Sequence, residues 1–104
     1  MSSVILVNRF QVPPGREEEF FALWQQVNSY MRKKKGNLGH KLHRSLASDA
    51  EYRFINVAQW ASEEDFKAAH DNGFRALVTQ PGWEAFRSFP VLYEVVHEAT
   101  ADKR

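Results

Sequence analysis

The sequence predicts an α+β domain in the order β-α-β-β-α-β around an antiparallel sheet. Three observations carry that expectation. Residues 4–12, 51–60 and 89–99 are rich in β-branched and aromatic side chains, and 38–47, between Gly36 and a turn, reads as a further strand. Residues 16–36 and 63–80 place apolar side chains at helical spacing instead. Breakers separate the runs: "PPG" at 13–15, Gly36, "SDA" at 48–50, "DNG" at 71–73 and "PGW" at 81–83. A chain of 104 residues holds one domain, spanning 1–104 with its core over 4–97.

The first strand, "VILVNRFQV", turns Val4, Leu6, Asn8, Phe10 and Val12 to one side and Ile5, Val7, Arg9 and Gln11 to the other. Both sides are partly apolar, which points to one face for the helices and one for a partner subunit. The long helix carries Phe20, Leu23, Trp24, Val27, Tyr30 and Met31 on one stripe. Glu17, Glu18 and Glu19 suit its first turn, the Arg32–Lys35 run its last, and Gly36 its C′ position. That basic run therefore reads as a solvated helix end. "SDA" suits a hairpin turn between strands two and three. Strand three alternates Tyr52, Phe54, Asn56, Ala58 and Trp60 against Arg53, Ile55, Val57 and Gln59. Ser62 with Asp65 three positions on predicts an N-cap and a helix over 63–71, ended by Asn72-Gly73. "FRALVTQ" continues helically with Phe74, Leu77 and Val78 on one face, and Trp83 with Phe86 forms an apolar anchor. "FPVLYEVVHEA" is the last strand, and "TADKR" reads as a frayed tail. One long helix, one broken helix and a central hairpin make this a ferredoxin-like split βαβ arrangement with both helices on one side of the sheet.

Composition narrows the function. Fourteen basic and thirteen acidic side chains leave a net charge of +1, without the electrostatic footprint of a nucleic-acid binder. The absence of cysteine excludes disulfides, thiolate metal sites and a cysteine nucleophile. The opening "MSSVILVNRF" lacks the pattern of a signal peptide, and no apolar run is long enough for a bilayer, so a cytoplasmic protein without membrane contact is expected. His40 and His43 are three apart on a strand, so they face opposite sides and cannot alone form a two-histidine metal site. Aromatics make up 13% of the chain, enough to fill a core and line a pocket or interface as well.

Four segments, "VNRFQVPPGREEEF", "GNLGHKLHRS", "WASEEDFKAAH" and "PVLYEVV", resemble in their order and spacing the antibiotic biosynthesis monooxygenase family. The resemblance covers residues 4–97. It implies a homodimer whose sheets pack face to face as a dimeric α/β barrel, each subunit keeping a pocket between its helices and its sheet. Members of that family include cofactor-independent monooxygenases of aromatic polyketide-like molecules and haem-degrading enzymes. The haem-degrading branch uses an Asn on the first strand, which Asn8 matches. Its helical Trp and its haem-ligating His would fall near Ala69 and Val78, where neither is present. Trp60 matches the strand-end tryptophan of many members instead, so haem binding would require His70 as axial ligand. His70 matches the "AH" of many non-haem members. It lies four residues after Phe66, on the same helical face.

The expected function is a small monooxygenase that acts without metal or tightly bound cofactor on an aromatic, quinol-like molecule. His70 would orient or deprotonate the substrate, and Asn8 would hold the developing oxyanion. Phe10, Trp24, Asn56, Trp60, Phe66, Phe74 and Trp83 are expected to line the pocket. The alternatives are a haem-binding or haem-degrading protein with a non-standard site, and a non-enzymatic ligand-binding dimer.

Overall fold

The computed structural model describes residues 3–102. Its elements are β1 (Val4–Gln11), α1 (Glu17–Met31), β2 (Asn37–Arg44), β3 (Phe54–Trp60), α2 (Glu63–Ala69), α3 (Asn72–Val78) and β4 (Arg87–Tyr93), with a 3₁₀ turn at Trp83–Ala85. The four strands form one sheet in the order β2-β3-β1-β4, and each neighbouring pair is antiparallel. This is the predicted ferredoxin-like α+β layout. The alternation of β1 and β3 turns Leu6, Asn8, Phe10 and Phe54, Asn56, Ala58, Trp60 toward the helices, where the buried residues lie.

α1 buries Phe20, Trp24 and Met31, as the stripe predicts, and has Glu17, Glu18 and Glu19 in its first turn. It ends earlier than expected, at Met31. The Asn37 side-chain amide donates to the Met31 carbonyl at 3.1 Å, closing the helix end, and tighter turns follow from Lys34 N–H to Met31 and Asn37 N–H to Lys34. The basic run thus lies beyond the helix, and Gly36 is no C′ residue. Gly36 has φ +87°, and a Cβ on it would collide with the Asp65 side chain at the start of α2.

The hairpin between β2 and β3 is longer than "SDA" alone suggested. Its ladder ends with Ser45 N–H donating to the Arg53 carbonyl at 2.8 Å. The Arg53 guanidinium then donates to the Ser45 carbonyl at 2.6 Å and reaches Glu17 of α1 at 3.3 Å. A side chain there satisfies groups that strand pairing was expected to satisfy.

Ser62 caps α2 as predicted, its Oγ accepting from Asp65 N–H at 3.0 Å. The helix stops at Ala69, and Asn72-Gly73 opens α3 rather than closing α2. The agent is Asp71, whose Oδ1 accepts from Phe74 N–H at 3.0 Å and makes it the N-cap of α3.

β4 is shifted and shorter than expected. It pairs with β1 from Gln11↔Arg87 to Ile5↔Tyr93, and β1 begins at Val4. Residues beyond Tyr93 have almost no strand left to pair with, so 94–102 is without regular structure, and Val95 and Val96 are exposed. Of the expected frayed tail, Lys103 and Arg104 lie outside the described residues.

Candidate active site

The helix-facing side of the sheet is built in rungs. Leu6 pairs with Ala58, Asn8 with Asn56, and Phe10 with Phe54. The outer two rungs belong to two separate apolar clusters. Phe10 and Phe54 join Val12, Phe20, Trp24 and Phe86, whereas Leu6 and Ala58 join Met31, Trp60 and Ala69. The asparagine rung belongs to neither. Over it the helices leave a cavity of about 450 Å³, within the range of small-molecule sites, about 300–1,000 Å³.

Each candidate residue lines this cavity. β1 supplies Asn8 and Phe10, and β3 supplies Asn56 and Trp60. Trp24 comes from α1, Phe66 and His70 from α2 and its end, Phe74 from α3, and Trp83 from the 3₁₀ turn. Among the described residues no Lys, Arg, Asp or Glu lines it. Its polar side chains are amides, imidazoles, indoles and a hydroxyl.

His70 is the C-cap of α2, and its ring lies between Phe66 and Phe74, at centroid distances of 4.3 and 4.4 Å. Its Nδ1 is 2.7 Å from the Phe66 carbonyl oxygen. A carbonyl only accepts, so Nδ1 carries the proton. In the neutral ring Nε2 then keeps its lone pair. One backbone contact thus fixes the tautomer in which Nε2 can take a proton.

Asn8 and Asn56 differ although they face each other. Asn8 Oδ1 accepts from Phe89 N–H on β4 at 3.1 Å, which orients the amide and leaves its NH₂ as the donor end. Asn56 Oδ1 is buried without a partner among the described residues, and so is Trp60 Nε1, on a side chain only 2% exposed. Leaving one such group unpaired costs about 1–3 kcal/mol. Both residues line the cavity, but these two atoms lie beneath its surface, each with less than 1 Å² accessible.

His40 was not among the sequence candidates, yet it lines the cavity, its ring 5.4 Å from that of Trp24. Burial, assisted by the nearby charge of Arg32, pushes it below the usual histidine value and so favours its neutral form. The available signal was alternation, which puts His40 on the same side as Leu42. His43 faces away, as expected, with Nδ1 3.3 Å from the Ile55 carbonyl. No group of three His, Asp or Glu residues suited to a metal occurs among the described residues. Likewise, no helix there is long and apolar enough to cross a membrane.

Several known proteins share this architecture. A candidate monooxygenase from Shewanella loihica PV-4 is 34% identical, with 94% of this chain and 99% of that one covered and a TM-score of 0.81. SnoaB, a cofactor-independent oxygenase from Streptomyces nogalater, superposes in an asparagine-to-alanine variant with a TM-score of 0.80 at 24% identity, covering 94% of this chain and 97% of SnoaB. An arginine-to-serine variant of MhuD, with two manganese protoporphyrin IX molecules bound per active site, superposes with a TM-score of 0.74 at 23% identity, covering 94% and 99%. The two latter likenesses concern the fold alone. Among curated proteins none matches. The family model described as antibiotic biosynthesis monooxygenase matches residues 3–88. The chain belongs to the antibiotic biosynthesis monooxygenase family.

Proposed function

We propose that this protein is a monooxygenase that inserts one atom of O₂ into a neutral, quinol-like aromatic molecule, drawing the electrons from the substrate itself. The observation that carries the proposal is the His70 imidazole, its Nδ1 held by the Phe66 carbonyl, in the lining of an apolar cavity without charged side chains among the described residues. A hydroxylated aromatic offers that imidazole an acidic proton on a flat apolar body.

In this reading Nε2 of His70 takes a phenolic proton, and the NH₂ of Asn8 donates to the oxygen on which charge develops. The Asn56 amide, on the same rung, meets a second substrate oxygen. The electron-rich anion gives an electron to O₂, and recombination at ring carbon forms a peroxide. Loss of water from it leaves a new carbonyl, so quinol plus O₂ becomes hydroxyquinone plus water. No external reductant enters that balance, and the chemistry calls for neither metal nor cofactor.

The test uses 1,4-naphthohydroquinone under ¹⁸O₂, with the uncatalysed oxidation subtracted. The expected result is 2-hydroxy-1,4-naphthoquinone carrying one labelled oxygen, at a rate lowered at least a hundredfold in His70→Ala. Label-free product, or a rate equal to that without protein, would instead favour a ligand-binding dimer without activity.

A haem reading is favoured by one observation, the free Nε2 of His70, which is an axial ligand by type. Against it stands the lack of a cationic lining residue, among those described, to meet the propionates. Haemin titration decides: a Soret shift lost in His70→Ala would carry it.

Homodimerisation is part of the proposal. The sheet face away from the helices presents Ile5, Val7, Ile55, Val57 and Val91, and Val91 and Tyr93 are exposed. A second copy covering that face is expected to give a dimer in sedimentation equilibrium, dissociated by Val57→Glu.

A further inference from the structure

We propose that Asp71, held by Tyr30 and Lys34, positions the His70 imidazole in the cavity. The inference rests on the reading of His70 as the proton acceptor and adds the device that places it.

Asp71 follows His70 in the chain and sits at the corner between α2 and α3. Its carboxylate gathers donors from two elements. Oδ1 accepts from Tyr30 Oη at 2.7 Å and from Phe74 N–H at 3.0 Å, and Oδ2 accepts from Lys34 Nζ at 2.6 Å. Lys34 also lies 4.4 Å from the centroid of the Tyr30 ring. The two outside donors come from the end of α1 and the turn after it. Gly73 completes the contact, since a Cβ there would collide with the Tyr30 ring. The corner thus docks onto α1 through one carboxylate and one missing methyl group.

A half-exposed ion pair adds little stability, so the value of this cluster is geometric. α1 supplies Trp24 and Met31 to the cavity wall, and the docked corner supplies His70. The distance from the imidazole to the rest of the wall is therefore set where Asp71 meets Tyr30 and Lys34. No hydrogen bond joins Asp71 to the imidazole among the described residues, so its effect runs through the backbone of the corner. Placement to within about 0.5 Å is what proton transfer in a preformed site demands, and an error near 1 Å costs about a hundredfold in rate.

The test reads the imidazole directly by ¹⁵N NMR of the ligand-free protein, and turnover of 1,4-naphthohydroquinone separately. In the unaltered protein His70 should show one Nδ1-protonated form. Asp71→Ala should shift and broaden those signals and lower kcat tenfold or more, with KM changed less than twofold. Asp71→Asn keeps an acceptor for Tyr30 and Phe74 and should restore both readouts. If Asp71→Ala fails to fold, Tyr30→Phe carries the test, because it removes one hydroxyl and should move the same resonances. Unmoved His70 signals in a folded Asp71→Ala or Tyr30→Phe variant overturn the proposal. Moved signals with turnover that His70→Ala leaves intact support the positioning and overturn the base reading instead.

Discussion

Two regions over the same sheet are built on opposite terms. In one, Phe20 is fully buried, and its ring centroid lies 4.9 Å from that of Phe10, 4.8 Å from Phe54 and 5.5 Å from Phe86. The rings around Phe20 are apolar and pack directly on one another. One rung away, at Asn8 and Asn56, polar side chains face a cavity and two buried polar atoms go unpaired. The first region gains from dispersion and burial. The second leaves both unused, at a cost of a few kcal/mol. A domain of this size has little stability to spare, so the difference marks the second region as shaped for a ligand.

Mutations can break or sharpen that contrast. The largest effect belongs to the packed region, where Phe20→Ala should lower the unfolding free energy by about 3–5 kcal/mol in denaturant titrations. At the rung, Asn8→Leu should cost about 1–3 kcal/mol, because it strands the Phe89 N–H. Asn56→Leu should run the other way. It replaces an unpaired acceptor with apolar surface, so stability should hold or rise by about 1 kcal/mol while quinol turnover collapses. A loss of stability as large as that of Asn8→Leu would mean that Asn56 is structural, and the contrast would fail.

A smaller effect concerns acid. Lys34 first, then Tyr30 and the Phe74 N–H, hold the Asp71 carboxyl well below its ordinary value of 3.8. A carboxylate depressed in this way contributes stability that is fully present above its unfolded value. That contribution is lost as pH falls through the folded value. The melting temperature should therefore drop more steeply below about pH 4 in the unaltered protein than in Asp71→Asn. Parallel curves would show that the ion pair is screened to insignificance.

Element type and order were legible in the sequence because period-two and period-3.6 patterns do not overlap here. The rung was half legible. Alternation placed Asn8 and Asn56 toward the helices, but their facing each other depends on strand register, which long-range pairing sets. The i, i+4 spacing of Phe66 and His70 pointed the imidazole inward. Its tautomer depended on a carbonyl contact that no pattern encodes. Element ends were misread wherever a side chain supplied the cap: Asn37 for α1, Arg53 for the hairpin, Asp71 for the corner. The Asp71 cap is local, three residues before the N–H it accepts from, and "DNGF" could have been read as a helix start. The orphaned state of Asn56 and Trp60 was invisible in the sequence, since an absence of partners exists only once the chain has folded.

The rims of the sheet have a consequence for how copies of this chain meet. β2 and β4 are the edge strands. An open edge invites another strand and can propagate into aggregates. β2 carries exposed Lys41, His43 and Arg44, and its pairing with β3 is irregular between Asn37 and Gly39. β4 contains Pro90, which has no N–H to offer an incoming strand. Charge and bulge guard one rim, and a missing donor guards the other. Association by extending the sheet is thereby discouraged at both ends, so the pairing proposed above would have to use the apolar face, as a closed pair instead of an open stack.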